Sequence, residues 1–431
     1  MDMITRYFTI TGGYELTVME KFDTLIVGGG PAGLMAAIRA SSLGQKTAIL
    51  EKNPSLGEKL LLSGHGRCNF TNALDDTDAF IKKYGDNGKF LYSAFSRFGP
   101  RDTLVFFANT GLDFVEERGK RVFPKEGGSQ KVLDRLLLEC KKGGVKILRS
   151  SPVKAVKFKN HRVDCVITDS DEFTADKYII ATGGKSYPRT GSTGDGYTFA
   201  RQAGHTITEL YPALVPIRTR ETWPKLASGC NLRNVRLHVL LDGKEVAERF
   251  GEMEFTNFGV SGPIVMDLSS HVPDWSNKGG ELVFSLDLKP SLTQEILTAR
   301  VKREIEKFTG RRRFTGLVRL LVPAEMVRLI LELSDIPHDK PIEYISDEEI
   351  ADFVSLLKDI RMTVNGLWGF NNAVVTRGGV SLKEIDPATM RSKLCDNLYF
   401  AGEILDLNGP SGGFNLQICW TTGYIAGSVN E

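Results

Sequence analysis

Three glycines at positions 28, 30 and 33 stand in the spacing G-x-G-x-x-G, after an apolar run at 23–27 and before residues of helical period, Leu34, Ala37 and Ile38. That spacing is suited to holding a pyrophosphate. Gly28 permits the tight bend, Gly30 lets the backbone approach the phosphates, and Gly33 lets strand and helix pack closely, with Ala32 inside the same turn. The start of the following helix offers free N–H groups and the positive end of its dipole. Glu51 closes a second apolar strand 18 residues after Gly33, with Lys52 beside it. A carboxylate there accepts hydrogen bonds from adenosine ribose hydroxyls. A glycine-rich turn with an unrelated acid is the bland alternative, and the correct context on both sides argues against it.

The turn does not separate NAD from FAD, but later segments do. Ala181, Thr182, Gly183 and Gly184 follow another apolar strand, and near the C-terminus Ala401, Gly402 and Glu403 follow a third. Gly412 and Gly413 then open a final apolar helix through Asn415 and Leu416, expected to run from about 416 to 429. A helix N-terminus there can stabilise negative charge on a reduced flavin ring. The Ala401, Gly402 and Glu403 arrangement resembles the second signature of two-dinucleotide-binding flavoproteins, and with the other three elements in this chain order it implies FAD.

The runs EKLLLSGHGRCNFTN at 58–72, TGGKSYP at 182–188, GSTGDG at 191–196, GEMEFT at 251–256, GVSGP at 259–263 and AGE at 401–403 with Asp406 resemble the BaiN/YhiN-like flavoproteins, often called NAD(P)/FAD-dependent oxidoreductases. The resemblance covers residues 20–430. It implies kinship with fumarate reductase and succinate dehydrogenase flavoproteins, and an FAD-binding domain interrupted by an insert. It implies that the acid Glu403 holds the ribityl chain. It places the 63–69 loop beside the flavin and pyrophosphate, which carries over to Gly66, Arg67, Cys68 and Asn69, with Lys59 in the same run. Val153 is implied as a backbone contact to adenine. His65 replaces the glycine that many relatives have, and imidazole is a side chain suited to acid–base work near neutrality. His65, Arg67 and Tyr187 are the candidate catalytic residues. Arg67 would pair with phosphate or polarise a substrate carbonyl, and Tyr187 and Arg189 would face the substrate. Cys68 has no neighbouring cysteine with which to form a redox dithiol. Glu252 and Thr256 read as residues that stabilise the insert.

The elements that must position these groups follow from composition and period. The 431 residues, 41% hydrophobic, suffice for two or three domains. The fold class is α/β, a Rossmann-type FAD-binding domain with a β-meander; the resemblance implies that it is interrupted by an insert with a β-barrel-like part and a helical part, which fits shifts of composition near residues 200, 290 and 360. The meander is read at 145–180, from short β segments with polar turns. Residues 1–19 read as a disordered leader, with Met19 as an alternative start. Residues 20–200 form the first part of the FAD-binding domain, 201–288 a β-rich insert, 289–358 its helical part, and 359–431 the C-terminal part of the FAD-binding domain. No apolar stretch reaches the roughly 18 residues that span a bilayer, and no export signal precedes the fold. Six cysteines without a C-x-x-C pair fit reduced thiols in the cytoplasm. Six scattered histidines give no metal-ligand spacing, so no metal is expected. The net charge of +2 argues against a nucleic-acid partner, and the basic run Arg311, Arg312 and Arg313 reads as a solvated loop. Nothing in the sequence fixes the oligomeric state.

Only one dinucleotide fingerprint is present, so NAD(P)H would bind transiently over the flavin or electrons would arrive another way. Three activities are open. The favoured one is hydride transfer to an activated C=C bond of enone type; the resemblance adds a 3-oxo-Δ4 steroid or bile-acid intermediate as substrate, held in an apolar pocket between the FAD domain and the insert. The second is an amine or aminoketone oxidase that uses oxygen. The third is a flavin-bearing RNA-modifying or RNA-binding module that uses the 311–313 region.

Overall fold

The computed structural model describes residues 20–307 and 312–428. The expected leader, Arg311 and Val429 lie outside the described residues. The chain begins with strand β1 (Lys21–Val27), helix α1 (Pro31–Ser42) and strand β2 (Thr47–Leu50), the βαβ unit that the glycine spacing demands. Leu25, Ile26, Ala48 and Ile49 are fully buried, as strands covered on both faces must be. Helix α2 (Gly128–Lys142), which the reading of the sequence did not mark, buries Val132, Leu133, Leu136 and Cys140 and returns the chain to the sheet edge. The strand it delivers, β3 (Lys146–Leu148), pairs in parallel with β2. This corrects the expectation that residues 145–148 open the meander, because a crossover helix feeds a parallel strand and not a hairpin.

The meander itself is β4 (Ala155–Lys159), β5 (Arg162–Ile167) and the first part of β6 (Glu172–Ile180). The nine residues of β6 serve two sheets. Their first part closes the meander, while β6 also lies parallel between β1 and the strand β7 (Leu398–Phe400). The last helix, α3 (Phe414–Gly427), crosses α1 at very short range. A Cβ on Gly423 or Gly427 would stand 2.4 Å from the carbonyl oxygen of Ala32 or Ala36. Glycine at these positions is therefore what lets the two helices seal one face of the sheet.

The insert has its own core. Six strands close into a barrel in the order Ile217–Thr219, Gly259–Ser261, Lys244–Thr256, Asn231–Leu241, Leu282–Asp287 and Ile360–Leu367. The circle closes where Ile217 lies opposite Leu367. Leu232, Val235, Leu237 and Val239 of the 231–241 strand are buried, with a register shift after Leu232 that keeps alternation in phase with the core. Helices Gln294–Glu306, Phe314–Leu321, Val327–Leu333 and Asp347–Lys358 pack Leu297, Phe314, Leu317, Leu329 and Phe353 into the same core. The sixth barrel strand, 360–367, lies inside the stretch assigned from sequence to the C-terminal part of the FAD-binding domain. Barrel closure is a long-range pairing that local pattern does not reveal. Both connections between lobes run through one antiparallel pair, Tyr211–Ala213 with Val375–Arg377. Among the described residues no helix is long and apolar enough to cross a membrane.

Candidate active site

The carboxyl ends of β1, β2 and β6 open onto a cleft of about 1210 Å³ that continues onto the face of the insert. Its first wall is the glycine turn. A Cβ at Gly28, whose φ is +106°, would stand 2.6 Å from the carbonyl oxygen of Ala181. At Gly33 it would stand 1.9 Å from the oxygen of Gly28, while at Gly30 it would meet nothing within 4 Å. The two flanking glycines are thus filled by the protein's own backbone, and the middle one faces open space at the start of α1. Glu51 is buried and accepts N–H bonds from Gly29 and Asn53, each at 2.8 Å, which fixes the carboxylate at the end of β2. Lys52 donates to Thr193 at 2.5 Å and Asp195 at 2.7 Å. Val153 lines the cleft.

At the other end, Glu403 accepts from Lys59 Nζ at 2.5 Å, Ser186 Oγ at 2.6 Å and the Thr376 N–H at 2.8 Å. The carboxylate expected to hold a ribityl chain is therefore also the centre of a polar cluster that ties the 58–62 helix, the 182–188 turn and the second lobe connection together. Gly413, with φ +96°, ends the loop that starts α3, and Asn415 braces that loop by bonding the N–H and carbonyl of Gly409. Leu416 lines the cleft beside it.

The 63–69 loop meets its expectations unevenly. His65 is exposed in left-handed backbone, φ +55°, and lines the cleft. Arg67 lines the rim, where it forms an ion pair with Glu117 and lies 4.3 Å over the ring of Phe123. Its guanidinium is thus engaged by protein groups rather than presented free to a phosphate. Cys68 is fully buried behind the wall, and burial pushes its thiol up to about 12. Gly33, Gly184 and Gly402 also lie buried behind the cleft surface and Gly66 is exposed outside its lining, whereas Ala32, Asn69, Ala181, Thr182 and Gly183 line it. Tyr187 lines the cleft in left-handed backbone, and burial raises its phenol.

Folding brings in residues that sequence reasoning missed. Glu252, read as a stabiliser of the insert, lines the cleft together with Glu254, Ser261, Met266 and Asp267. A period-2 signal was present for the two glutamates, which alternate with buried Met253 and Phe255. Asp267 gave only the weak signal of a lone acid in a short apolar helix. Away from the cleft, His238, Glu245 and Glu248 bring ligand atoms within 4.8 Å of one another on the barrel hairpin, a cross-strand grouping that no local spacing announces.

The residues present fit FAD. Gly30 leaves the space a pyrophosphate needs. Asn69 Oδ1 and Thr182 Oγ1 are buried at the cleft with no hydrogen-bond partner, which suits a ligand bearing N–H and O–H groups. The cleft exceeds the roughly 300–1,000 Å³ of ordinary small-molecule pockets, enough for a dinucleotide and a second molecule.

Comparison with known proteins agrees. The family described as HI0933-like protein Rossmann domain matches residues 22–429. The 3-dehydro-bile acid delta(4,6)-reductase of Clostridium scindens is 34% identical over 407 residues, 93% of this chain and 97% of that protein. The ribosomal RNA dihydrouridine synthase of Haemophilus influenzae is 33% identical over 405 residues, 93% of this chain and 96% of that protein. Among solved structures, the open conformation of a flavocytochrome c3 fumarate reductase superposes with a TM-score of 0.52 at 16% identity, covering 95% of this chain and 78% of that one. The 3-ketosteroid delta1-dehydrogenase of Sterolibacterium denitrificans in complex with 1,4-androstadiene-3,17-dione gives 0.52 at 14% identity, covering 94% and 98%. These two likenesses establish the fold alone: a Rossmann-type flavoprotein fold with an inserted lobe.

Proposed function

The chain belongs to the HI0933-like family, and on that premise we propose that this flavoprotein oxidoreductase reduces a carbon–carbon double bond conjugated to a carbonyl. The observation that carries the reading is the single continuous cleft, which runs from the phosphate turn to the polar and apolar face of the insert. When bound and reduced, FAD would supply the hydride for the β-carbon of such a substrate. The chain's own residues do the rest. The start of α1 and Gly30 receive the pyrophosphate, Glu51 the adenosine ribose, and Asn69 and Thr182 the polar edges further along. The N-terminus of α3 stabilises negative charge by its dipole. Met266, Leu214 and Val374 give the insert side an apolar floor for the substrate. With one dinucleotide fingerprint in the chain, a nicotinamide donor would reach the flavin through this same cleft. Six free cysteines suit the reducing cytoplasm.

The names of the two relatives support this chemistry jointly. A Δ4,6-reductase and a dihydrouridine synthase both saturate a C=C bond conjugated to a carbonyl, the second in a uracil ring. A small enone, of the 3-oxo-Δ4 steroid kind, is the first reading of the substrate. Uracil in RNA is the second, favoured by Lys83, Lys120 and Arg121 along one wall of the cleft.

The test is anaerobic. The purified yellow enzyme is reduced with dithionite and mixed with androst-4-ene-3,17-dione, with a uridine-rich ribosomal RNA transcript, or with oxygen. Reoxidation by the steroid with a saturated product supports the first reading, and reoxidation by RNA with dihydrouridine formed supports the second. Fast reoxidation by oxygen with peroxide release, and none by either unsaturated substrate, overturns both and indicates an oxidase.

A further inference from the structure

We propose that Asp267, on the insert side of the cleft, is the proton donor to the α-carbon of the substrate; this rests on the double-bond reductase reading. Hydride addition at the β-carbon leaves an enolate. The α-carbon takes the proton of the Asp267 carboxylic acid, the carboxylate regains one from solvent, and the sum is one hydride and one proton across the double bond. Such a donor must face the flavin end of the cleft from the opposite wall and must not already be committed to a cation.

Asp267 meets both conditions. Helix Pro263–Ser269 turns Ile264, Val265 and Leu268 into the barrel core, and its 3.6-residue period leaves Met266 and Asp267 on the opposite, cleft-lining side. Asp267 Oδ1 accepts the N–H of Ser411 at 2.9 Å across the gap between lobes. Ser411 lies in the loop that Gly413 ends at the start of α3, so the carboxyl is held beside the segment that meets the flavin end. The Ser411 side chain meets the same carboxyl, so this residue braces it through both its N–H and its hydroxyl. No ion pair engages Asp267 among the described residues; Arg249 of the barrel hairpin and Lys83 act on it from a distance, and Asp267 in turn acts on His271 just beyond its own helix. Burial raises its carboxyl above the usual aspartate range, against the opposing pull of Ser411, Arg249 and Lys83.

Two other cleft acids are engaged by protein groups, Glu403 by Lys59, Ser186 and the Thr376 N–H, and Glu51 by two backbone N–H groups. Glu252 is exposed and Glu254 half-buried on the barrel strand 244–256.

The experiment uses the full holoenzyme, prereduced and mixed anaerobically with androst-4-ene-3,17-dione. Asp267→Asn keeps an acceptor for Ser411 and removes only the proton. We expect its flavin reoxidation by the enone to fall by about 100-fold, the scale of general-acid catalysis, with flavin content and reoxidation by oxygen within about twofold of wild type. Wild-type rate should fall as pH rises through the raised carboxyl value, and D267N should lose that limb. Asp267→Glu should recover part of the rate. A wild type that reacts while D267N keeps its rate and pH profile overturns this assignment alone. A wild type that neither the enone nor the uridine-rich RNA reoxidises overturns the reductase reading and this assignment with it.

Discussion

Replacing Gly30 by alanine separates what the glycine turn does for the fold from what it does for the ligand. A Cβ there meets no protein atom within 4 Å, and φ is −80°, a value any residue adopts. Gly30 is also the N-cap of α1, so losing glycine at that position costs at most about 1 kcal/mol. The stiffer unfolded chain returns about 0.4–1 kcal/mol. The two terms nearly cancel, and apo G30A should melt close to apo wild type. The ligand is affected differently, because the added methyl occupies the space where a pyrophosphate must touch the backbone. A tenfold loss of FAD affinity corresponds to about 1.4 kcal/mol, and we expect at least that. Wild type held at about 100 times its Kd gains about 2.7 kcal/mol from FAD, and G30A should gain far less. Gly33→Ala is the contrast, since its Cβ would lie 1.9 Å from the oxygen of Gly28 and must displace backbone. The assay is thermal melting of apo and FAD-loaded protein, with flavin content by absorbance. An apo G30A that melts normally and retains wild-type FAD affinity would refute the placement of the pyrophosphate at this turn.

Three further outcomes follow from local geometry. With its thiol pushed up to about 12 by burial, Cys68 should resist iodoacetamide in the native protein at pH 8, and Cys68→Ala should leave flavin reoxidation rates unchanged; ready alkylation or a lost rate contradicts this. His205 is buried between Glu384 and Ser392, and desolvation lowers its pKa despite the pull of Glu384. A lowered folded value means that the unfolded chain binds the proton first. Its contribution is therefore full above about pH 6.5 and declines as pH falls through the depressed value, so His205→Asn should flatten the melting temperature between about pH 7 and 5. An unaltered slope would show that other groups govern it. Gln417 in α3 accepts from Thr71 at 2.6 Å and donates to Thr103 at 2.8 Å and Thr421 at 3.0 Å, all buried. Gln417→Leu strips a partner from each hydroxyl and should cost about 2–4 kcal/mol in denaturant unfolding; a change under about 0.5 kcal/mol would show that the threonines find other partners.

The Rossmann core was readable because its signals are local. The β1–α1–β2 unit lies within thirty residues, and Gly28 and Gly33 answer contacts with the strand end at Ala181 and inside that stretch. The same holds for the helices of the insert, which show their period in sequence. Strand β3 was misread as the start of the meander because a three-residue strand carries too little pattern to reveal its partner, and because the helix before it was not marked. Of the candidate residues, those whose argument rests on backbone, such as Gly28 and Gly30, have the local geometry their spacing implies. Arg67 was not, since its side chain is long enough to choose Glu117, fifty residues away, over the cleft interior.

By itself the sequence determined a dinucleotide-binding α/β domain, an inserted lobe and the family, because glycine spacing, apolar period and motif order are properties of neighbouring residues. Only the tertiary structure decided that residues 217–219 and 360–367 close one barrel, that Lys59 neutralises Glu403, and that Asp267 reaches Ser411. Those pairs are separated by more than 140 residues. Whether such groups meet is set by how distant segments pack, within the barrel, within the FAD-binding lobe and, for Asp267 and Ser411, between the two, and no local preference of the chain encodes that distance.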